Sequence, residues 1–217
     1  MFDDAQGVLQ RWNAWECSSR KHKFIFVIGG PGVGKGTQCA RAASALEATH
    51  ISAGELLRAE QARPNSRFQA FLAKSFALSI PVPPLLLMEI LRSAIQDQPH
   101  DVVFLDGFPL TEQQLEEFEK EISTNYGTIS LDASNSTLTR RLQERAKYSG
   151  RIDDDSLKIQ RRVETFSTRA GEMVRLLQER KNPFHRIDSE GSVDEIQDDF
   201  LQRAMSTIRY MDSCIEH

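Results

Sequence analysis

The chain has 217 residues, which suits one α/β domain with small insertions or at most two compact domains. Hydrophobic residues make up 40% and charged residues 27%, as in ordinary globular proteins, and the formal net charge of −4 provides no general attraction to nucleic acid or to a membrane surface. No apolar run is long enough to span a membrane. Cys17, Cys39 and Cys214 include no C-x-x-C pair, which argues against a structural zinc site and favours reduced thiols in an intracellular, cytoplasmic setting.

Residues 1–22 are predicted to form a helical extension in front of the main domain. Charged side chains interrupt this segment, so it lacks the continuous apolar stretch of a secretory signal. In a helix, Val8, Leu9, Trp12 and Trp15 would lie near one side. That arrangement favours a helix packed on the domain, and organelle targeting and partner docking are the alternatives.

Residues 23–217 alternate between short apolar runs and helical patterns. The predicted strands are Phe24–Ile28, Thr49–Ile51, Val102–Leu105, Thr128–Leu131 and Phe184–Ile187. The predicted helices are Lys35–Leu46, a helix capped by Ser52, Phe68–Ser79, Leu85–Ile95, the exposed acidic Thr111–Glu121, Ser134–Arg145, Ser156–Arg180 and Val193–Met211. Residues 80–84 are predicted to form a proline-rich connection and residues 147–155 a polar loop. Strands separated by helices predict a parallel sheet with helices on both faces.

The segment 29–37, with the sequence GGPGVGKGT, follows a buried strand and opens a helix. Glycines let backbone N–H groups converge on anionic oxygens, and the start of the helix adds unpaired donors and a favourable dipole. Lys35 is placed to contact the terminal phosphates of a nucleotide. In the usual loop of this kind Ser or Thr follows the lysine directly, whereas here Gly36 comes between Lys35 and Thr37. The flanking strand and helix nevertheless predict a phosphate-binding loop.

Transfer of a phosphoryl group between nucleotides requires two aligned phosphates, neutralised charge and exclusion of water. We therefore expect lysine and arginine side chains around the transfer point, brought together by closing segments. Arg141 and Arg145 are four residues apart and share one face of a predicted helix. Asp106 ends a buried strand, where a carboxylate can orient Mg²⁺ through water.

Four motifs, in family order along the chain, resemble those of the adenylate kinase family, which includes the UMP-CMP kinases. They are GGPGVGKGTQCAR at 29–41, SAGELLR at 52–58, DGFP at 106–109 and SGRIDD at 149–154. The resemblance extends from about residue 24 to residue 195 and implies a three-layer α/β/α P-loop fold with a central parallel sheet of about five strands. It also implies a helical flap that binds the nucleoside monophosphate (NMP), near residues 52–82, and a short lid near residues 146–154.

The resemblance implies a kinase that transfers the γ-phosphoryl group of ATP to a nucleoside monophosphate, with Mg²⁺ as cofactor. The implied ATP-binding residues are Gly30, Gly32, Val33, Gly34, Lys35, Gly36, Thr37 and Arg141. The implied catalytic residues are Lys35, Arg145, Arg151 and Arg162. The implied acceptor-binding residues are Ala53, Arg58, Val82, Gly107 and Gln114, and Asp106 would hold the metal through water. We expect ATP and the monophosphate as partners of a monomeric protein, without nucleic acid or membrane.

Two positions bear on the base of the acceptor and point in different directions. Ala53 resembles UMP-CMP kinase, whereas adenylate kinases often carry Thr or Ser there. Gln114 resembles adenylate kinase, in which a glutamine pairs with the adenine edge, while UMP-CMP kinases tend to have Asn. A glutamine amide both donates and accepts, which mildly favours AMP. The sequence leaves AMP and UMP/CMP open.

Leu110 departs from the family pattern, in which an arginine follows the Asp-Gly-Phe-Pro turn and grips the acceptor phosphate. Leucine offers neither charge nor donor, so Arg58 would act with fewer partners unless Lys74 or Arg92 takes that place. We expect a slow enzyme with weak acceptor affinity and near-normal ATP binding. The alternative is a catalytically weakened member that acts as a nucleotide-binding or regulatory protein. A P-loop GTPase or motor ATPase is disfavoured because the chain has no guanine-recognising N-K-x-D run.

Overall fold

The computed structural model describes residues 22–78, 80–96, 98–149 and 156–214. The strands in these ranges are β1 (Lys23–Gly29), β2 (Thr49–Ser52), β3 (Val102–Asp106), β4 (Tyr126–Asp132) and β5 (Phe184–Asp188). The helices in the same ranges are α1 (Lys35–Ala45), α2 (Ala53–Ala62), α3 (Gln69–Leu78), α4 (Pro84–Ile95), α5 (Glu112–Glu121), α6 (Asn135–Ser149), α7 (Ser156–Glu179) and α8 (Val193–Ser213). The five strands form one parallel sheet in the order β2-β3-β1-β4-β5.

The central position of β1 follows from its continuous run of apolar residues. This strand pairs with β3 on one side and with β4 on the other. Phe24 and Phe26 point into one hydrophobic core, and Ile25 and Val27 point into a second core on the opposite face. A strand that is apolar on both faces is typical of a parallel sheet covered by helices on both sides.

Helices cover both faces of the sheet. Leu91 of α4 and Phe118 of α5 belong to the first core, and Phe200 of α8 belongs to the second, which α1 also covers. The long helix α7 contributes to both cores, through Val163 near its start and Leu177 near its end. These layers confirm the predicted α/β/α fold with about five parallel strands.

Helix α5 differs from the exposed acidic helix predicted from the sequence. Thr111 stays extended and caps the helix, so that Glu112 is its first residue, and the Thr111 side chain accepts a hydrogen bond from the Gln114 N–H at 3.2 Å. Leu115 and Phe118 are completely buried. The helix is therefore amphipathic, with Glu112 and Glu116 exposed on its outer face.

Two other predicted boundaries were wrong. Helix α6 continues to Ser149, so the beginning of the polar loop predicted for 147–155 is helical. Pro84 is the first residue of α4, where its fixed φ and missing N–H fit the first helical turn.

Residues 1–21 and 150–155 lie outside the described residues, and with them most of the predicted N-terminal extension and lid. None of the described helices combines the length and the apolar character needed to cross a membrane.

The register of the sheet brings separate segments of the chain to one edge. Val27 of β1 lies opposite Asp106 of β3, and Gly29 lies opposite Leu131 of β4. Because all strands are parallel, their C-terminal ends lie along the same edge of the sheet. The phosphate-binding loop, Asp106 and the flap that begins after Ser52 therefore meet there.

Candidate active site

A cleft of about 1420 Å³ opens at the C-terminal edge of the sheet. One wall consists of the phosphate-binding loop, α6 and α7, and the other consists of the flap helices α2 and α3 with the start of α5. Asp106 and Leu131, at the ends of β3 and β4, lie at its floor. Common small-molecule sites measure roughly 300–1,000 Å³. The cleft is therefore large enough for two nucleotides.

The phosphate-binding loop turns sharply between β1 and α1. Gly34, the N-cap of α1, has a φ of 108°, and Gly29 has a φ of 144° with the Leu131 carbonyl oxygen 2.4 Å from the position of a Cβ. Both positions therefore require glycine. Lys35 bends back over the loop, where its Nζ donates to the carbonyl oxygens of Gly29 at 2.9 Å and Gly30 at 3.0 Å.

Lys35 is the centre of a cluster of charges contributed by several elements. Burial lowers the pKa of Lys35 most strongly. Asp106 opposes that effect on the pKa, whereas Arg162 on α7 and Arg145 on α6 act in the same direction as burial. Both arginines are thus close enough to influence the charge of Lys35. Three cations around one loop provide a strongly favourable environment for a polyphosphate.

Asp106 supplies a buried carboxylate at the floor of the cleft. Nε2 of His50, on β2, lies 3.7 Å from Asp106 Oδ2, which is longer than a hydrogen bond. Burial pushes the pKa of Asp106 upward, but the neighbouring His50 and Lys35 side chains outweigh it, so that the pKa is lower than that of an ordinary aspartate. The carboxylate is therefore ionised at neutral pH.

The same corner of the cleft fits a Mg²⁺ ion held mainly by phosphate oxygens. The Asp106 carboxylate faces the start of α1, since its Oδ2 lies 3.5 Å from the position that a Cβ on Gly36 would take. Thr37, the next residue of α1, also borders the cleft. Among the described residues, no group of three or more His, Cys, Asp or Glu side chains could hold a metal alone. Mg²⁺ typically keeps several waters and binds through one or two protein groups together with substrate phosphates, which agrees with this donor set.

Arg141 connects α6 to two loops at the outer end of the cleft. Its Nη1 donates to the Val33 carbonyl at 3.1 Å, and its Nη2 donates to the Gly191 carbonyl at 3.2 Å. The loop after Gly191 is in turn joined to α1, because Gln38 Nε2 donates to the Val193 carbonyl at 3.0 Å. These hydrogen bonds hold the guanidinium of Arg141 at the edge of the cleft.

Arg58 provides the positive charge on the flap side. It lies on α2, which Ala53 and Leu57 anchor through their buried side chains. Its Nη2 donates to Glu55 Oε1 at 2.8 Å, and its Nε donates to Glu55 Oε2 at 3.3 Å. The arginine and the carboxylate therefore form a two-pronged ion pair inside the cleft.

Gln114 joins the end of the flap to the turn after β3. Its Oε1 accepts a hydrogen bond from the Leu110 N–H at 2.9 Å, and its Nε2 donates to the Val82 carbonyl at 2.9 Å. The side chain is buried at the wall of the cleft. A glutamine amide has two donor hydrogens and two acceptor lone pairs. These two bonds leave one donor and one acceptor of the amide unused.

Leu110 lies at the rim of the cleft with 54% of its surface exposed. Neither Arg92 nor Lys74 is among the described residues that line the cleft. Arg92 instead pairs with Glu121 at 3.3 Å and donates to the Glu121 carbonyl at 3.2 Å, and Lys74 is exposed on α3. Neither side chain replaces the arginine that the family pattern places at position 110.

Most of the residues predicted for the site border this one cleft. They are Gly32, Gly34, Lys35, Gly36, Thr37, Ala53, Arg58, Val82, Asp106, Gly107, Gln114, Arg141, Arg145 and Arg162. Gly30 and Val33 lie behind the cleft surface, since Gly30 bonds to Lys35 and Val33 is buried in the core. Arg151 lies outside the described residues.

His50 and Glu55 also line the cleft, although neither was predicted as a site residue. Glu55 lies three residues before Arg58, a spacing at which oppositely charged side chains meet on a helix, and this signal is readable from the sequence. His50 has no local signal of this kind, because its neighbour Asp106 is on a different strand.

Comparisons with known proteins agree with this geometry. The family model for adenylate kinase matches residues 27–182. Adenylate kinase isoenzyme 1 of Bos taurus is 37% identical over 179 residues, which cover 82% of this chain and 91% of that protein. The Homo sapiens isoenzyme 1 is 36% identical with the same coverage, and UMP-CMP kinase of Danio rerio is 34% identical over 81% of this chain and 93% of its own length. This chain therefore belongs to the adenylate kinase family.

Proposed function

We propose that this protein is a nucleoside monophosphate kinase that transfers the γ-phosphoryl group of ATP to AMP or to UMP/CMP, giving the nucleoside diphosphate and ADP. The observation that carries the proposal is the position of the cations. Lys35, Arg145 and Arg162 line the cleft on the side of the phosphate-binding loop, where both arginines lower the pKa of Lys35, while Arg58 borders the same cleft from the flap. A donor and an acceptor phosphate placed between these two sets would lie end to end.

In this reaction an oxygen of the acceptor phosphate attacks the γ-phosphorus, and the bond from that phosphorus to the bridging oxygen of ADP breaks. Lys35, Arg145 and Arg162 stabilise the negative charge on the transferred group and on the leaving oxygen. Arg151, in the lid segment, is proposed to join this set. Gly30, Gly32, Val33, Gly34, Gly36 and Thr37 would bind the donor phosphates, and Arg141 the donor base.

Mg²⁺ would be held at Asp106 through water, near Thr37, and when bound would neutralise charge on the ATP phosphates. On the flap side, Ala53, Val82 and Gly107 would surround the acceptor nucleoside. The unused donor and acceptor of Gln114 support AMP, since adenine presents both kinds of group along one edge. We further propose a monomer in a reducing compartment, which the free thiols of Cys39 and Cys214 support.

A second candidate function is nucleotide binding without efficient transfer. The exposed Leu110 favours it, because the rim of the acceptor side lacks the cation that the family pattern places there. Removing one aimed donor from a closed site typically costs about a hundred- to a thousand-fold in rate. Under this alternative, ATP would bind normally and turnover would be very slow on every acceptor.

A coupled assay of ADP formation with AMP, CMP, UMP and GMP tests both candidates. We expect turnover with at least one of these acceptors, and about a hundred- to a thousand-fold less turnover in Lys35→Ala. Arg140→Ala is the control, because Arg140 pairs with Glu144 on the outer face of α6. Unchanged turnover in Lys35→Ala would contradict the donor assignment. ATP binding without turnover on any acceptor would favour the second candidate.

A further inference from the structure

The ion pair between Arg58 and Glu55 occupies the part of the cleft assigned to the acceptor phosphate. Both residues belong to α2 and both line the cleft. Two nitrogens of Arg58 donate to the two carboxylate oxygens of Glu55, at 2.8 and 3.3 Å. This edge-to-edge geometry is the one in which a guanidinium also binds a phosphate. Glu55 therefore uses the donors that a phosphate would use.

The local structure of α2 favours this pair. Ser52 caps the helix, and its side chain accepts a hydrogen bond from the backbone N–H of Glu55 at 3.4 Å. Glu55 is thus in the first turn, where the helix dipole stabilises a negative charge. Arg58 follows one turn later on the same face. The pair forms within one helix and does not depend on closure of the cleft.

Arg58 is the cation that the described part of the flap contributes to the cleft. Among the described residues of 52–82 that line the cleft, Arg58 is the only lysine or arginine, and Leu110 faces the same region. Arg175 of α7 also lines the cleft, but it lies 13 residues after Arg162, which is roughly 20 Å along the helix at 1.5 Å per residue. Arg175 therefore lies well away from Arg162 along α7.

From these contacts we infer that Glu55 is a competing anion that sets the affinity for the acceptor: the acceptor phosphate must displace the Glu55 carboxylate from Arg58 in order to bind. This inference rests on the proposed function, since it assigns the flap side of the cleft to a nucleoside monophosphate. It makes Glu55 a specificity-determining residue, because the competition penalises a phosphorylated ligand and leaves an uncharged nucleoside unaffected.

The inference predicts a gain in affinity when the negative charge is removed. A phosphate dianion about 5 Å from a carboxylate in a water-exposed cleft is repelled strongly enough to weaken binding by about tenfold. Glu55→Gln keeps the size of the side chain and suits the third position of a capped helix. We therefore expect AMP and CMP to bind Glu55→Gln about tenfold more tightly than the wild type, with an equal decrease in acceptor KM and little change in ATP KM.

Calorimetric titration of the full chain with AMP, CMP, adenosine, cytidine and ATP provides the test. Adenosine, cytidine and ATP should bind Glu55→Gln as they bind the wild type. Glu89→Gln is the matched control, because Nη2 of Arg67 donates to both carboxylate oxygens of Glu89 outside this cleft, at 3.0 and 3.2 Å. It should leave every dissociation constant unchanged.

Three results would overturn the inference. In the first, the wild type binds the monophosphates and Glu55→Gln binds them equally or more weakly. Glu55 would then orient Arg58 or have no role, and the proposed function would stand. Equal tightening of AMP and adenosine would show that the carboxylate does not act on the phosphate. Absence of monophosphate binding in both proteins would instead contradict the proposed function itself, and the inference with it.

Discussion

Leu110 places an apolar, half-exposed side chain at the rim of the proposed acceptor side of a cleft that is otherwise rich in arginine. An arginine at this position would point two or more donors at the acceptor phosphate. Arg92 and Lys74, the two substitutes considered from the sequence, are directed elsewhere, since Arg92 pairs with Glu121 and Lys74 does not line the cleft within the described residues.

Leu110→Arg should therefore raise kcat/KM for the acceptor at least tenfold, because it restores an aimed cation in the site. Its effect on thermal stability should be small, since the side chain is exposed. Steady-state kinetics at varied acceptor concentration provide the measurement. Leu85→Arg, which adds the same charge at a leucine that is 67% exposed and outside the cleft, should leave kcat/KM unchanged. Wild-type turnover on the order of 100 s⁻¹, with no gain in Leu110→Arg, would mean that another cation fills the role.

Gln114 combines a structural role with the proposed recognition of the base. Gln114→Ala removes the hydrogen bonds to the Val82 carbonyl and the Leu110 N–H, which should lower the free energy of unfolding by roughly 1–3 kcal/mol. It should also change the ratio of kcat/KM for AMP to that for CMP more than it changes the KM for ATP. Gln113→Ala, at an exposed position of the same helix, is the control for both measurements. Equal effects on all acceptors would show that Gln114 serves only to hold the flap.

At the level of secondary structure, α6 carries Arg141 and Arg145, so its N-terminal cap controls where these side chains lie. Ser134 caps the helix locally, since its Oγ accepts a hydrogen bond from the Thr137 N–H at 3.3 Å, and a residue of a distant loop adds to this cap. Glu190 accepts hydrogen bonds from the Ser134 N–H at 2.5 Å and from the Thr137 hydroxyl at 2.6 Å. The hydrogen bonds from Thr137 and Ser134 lower the pKa of Glu190 to about 2 from the ordinary value of 4.5.

Because the pKa of Glu190 is lower in the folded protein than in the unfolded chain, its stabilising effect is present above pH 4.5 and is lost as the pH falls toward 2. Glu190→Gln should therefore unfold at a lower urea concentration than the wild type at pH 7, and the difference should shrink between pH 4.5 and pH 2. Urea midpoints at pH 7, 4.5 and 3 are the measurement. Glu144→Gln, on the exposed face of the same helix, should show a smaller difference. A difference that is as large at pH 3 as at pH 7 would mean that the carboxylate charge does not contribute to the cap.

At the scale of the whole molecule, the cations of the proposed site come from separate parts of the fold. Lys35 belongs to the core, Arg58 to the flap, and Arg145 and Arg162 to helices on either side of the lid segment. Transfer requires all of them to face the same two phosphates, so ligand binding should close the cleft.

A mimic that joins adenosine to a second nucleoside through five phosphates should make the protein more compact. Small-angle scattering with saturating mimic should give a smaller radius of gyration than the free protein, approaching the roughly 17 Å of a compact domain of this length. Lys35→Ala, which removes a central phosphate contact, should require more mimic for the same change. Scattering profiles that are identical with and without the mimic would contradict closure.

Local patterns in the chain were enough to predict the central sheet and the phosphate-binding loop. The strand before Gly29, the glycines and the helix beginning at Lys35 lie next to one another in sequence, and each has its own signal. The alternation of strands and helices then limits the topology to a parallel sheet, whose C-terminal edge gathers Asp106 and the flap. Boundaries were less accurate because they depend on caps: the end of α6 and the start of α4 both differed from prediction.

The partners of individual side chains were decided by the tertiary structure alone. Gln114 bonds to Val82, 32 residues away, and Glu190 caps a helix that begins 55 residues before it in the sequence. No local pattern specifies such pairs, because burial and hydrogen bonding depend on which segments the sheet brings together. The sequence by itself determined the family and the fold, since these follow from adjacent residues and their order, and most of the residues predicted for the site border the cleft. Only the folded chain revealed that His50 lies beside Asp106 and that neither Arg92 nor Lys74 replaces the missing arginine.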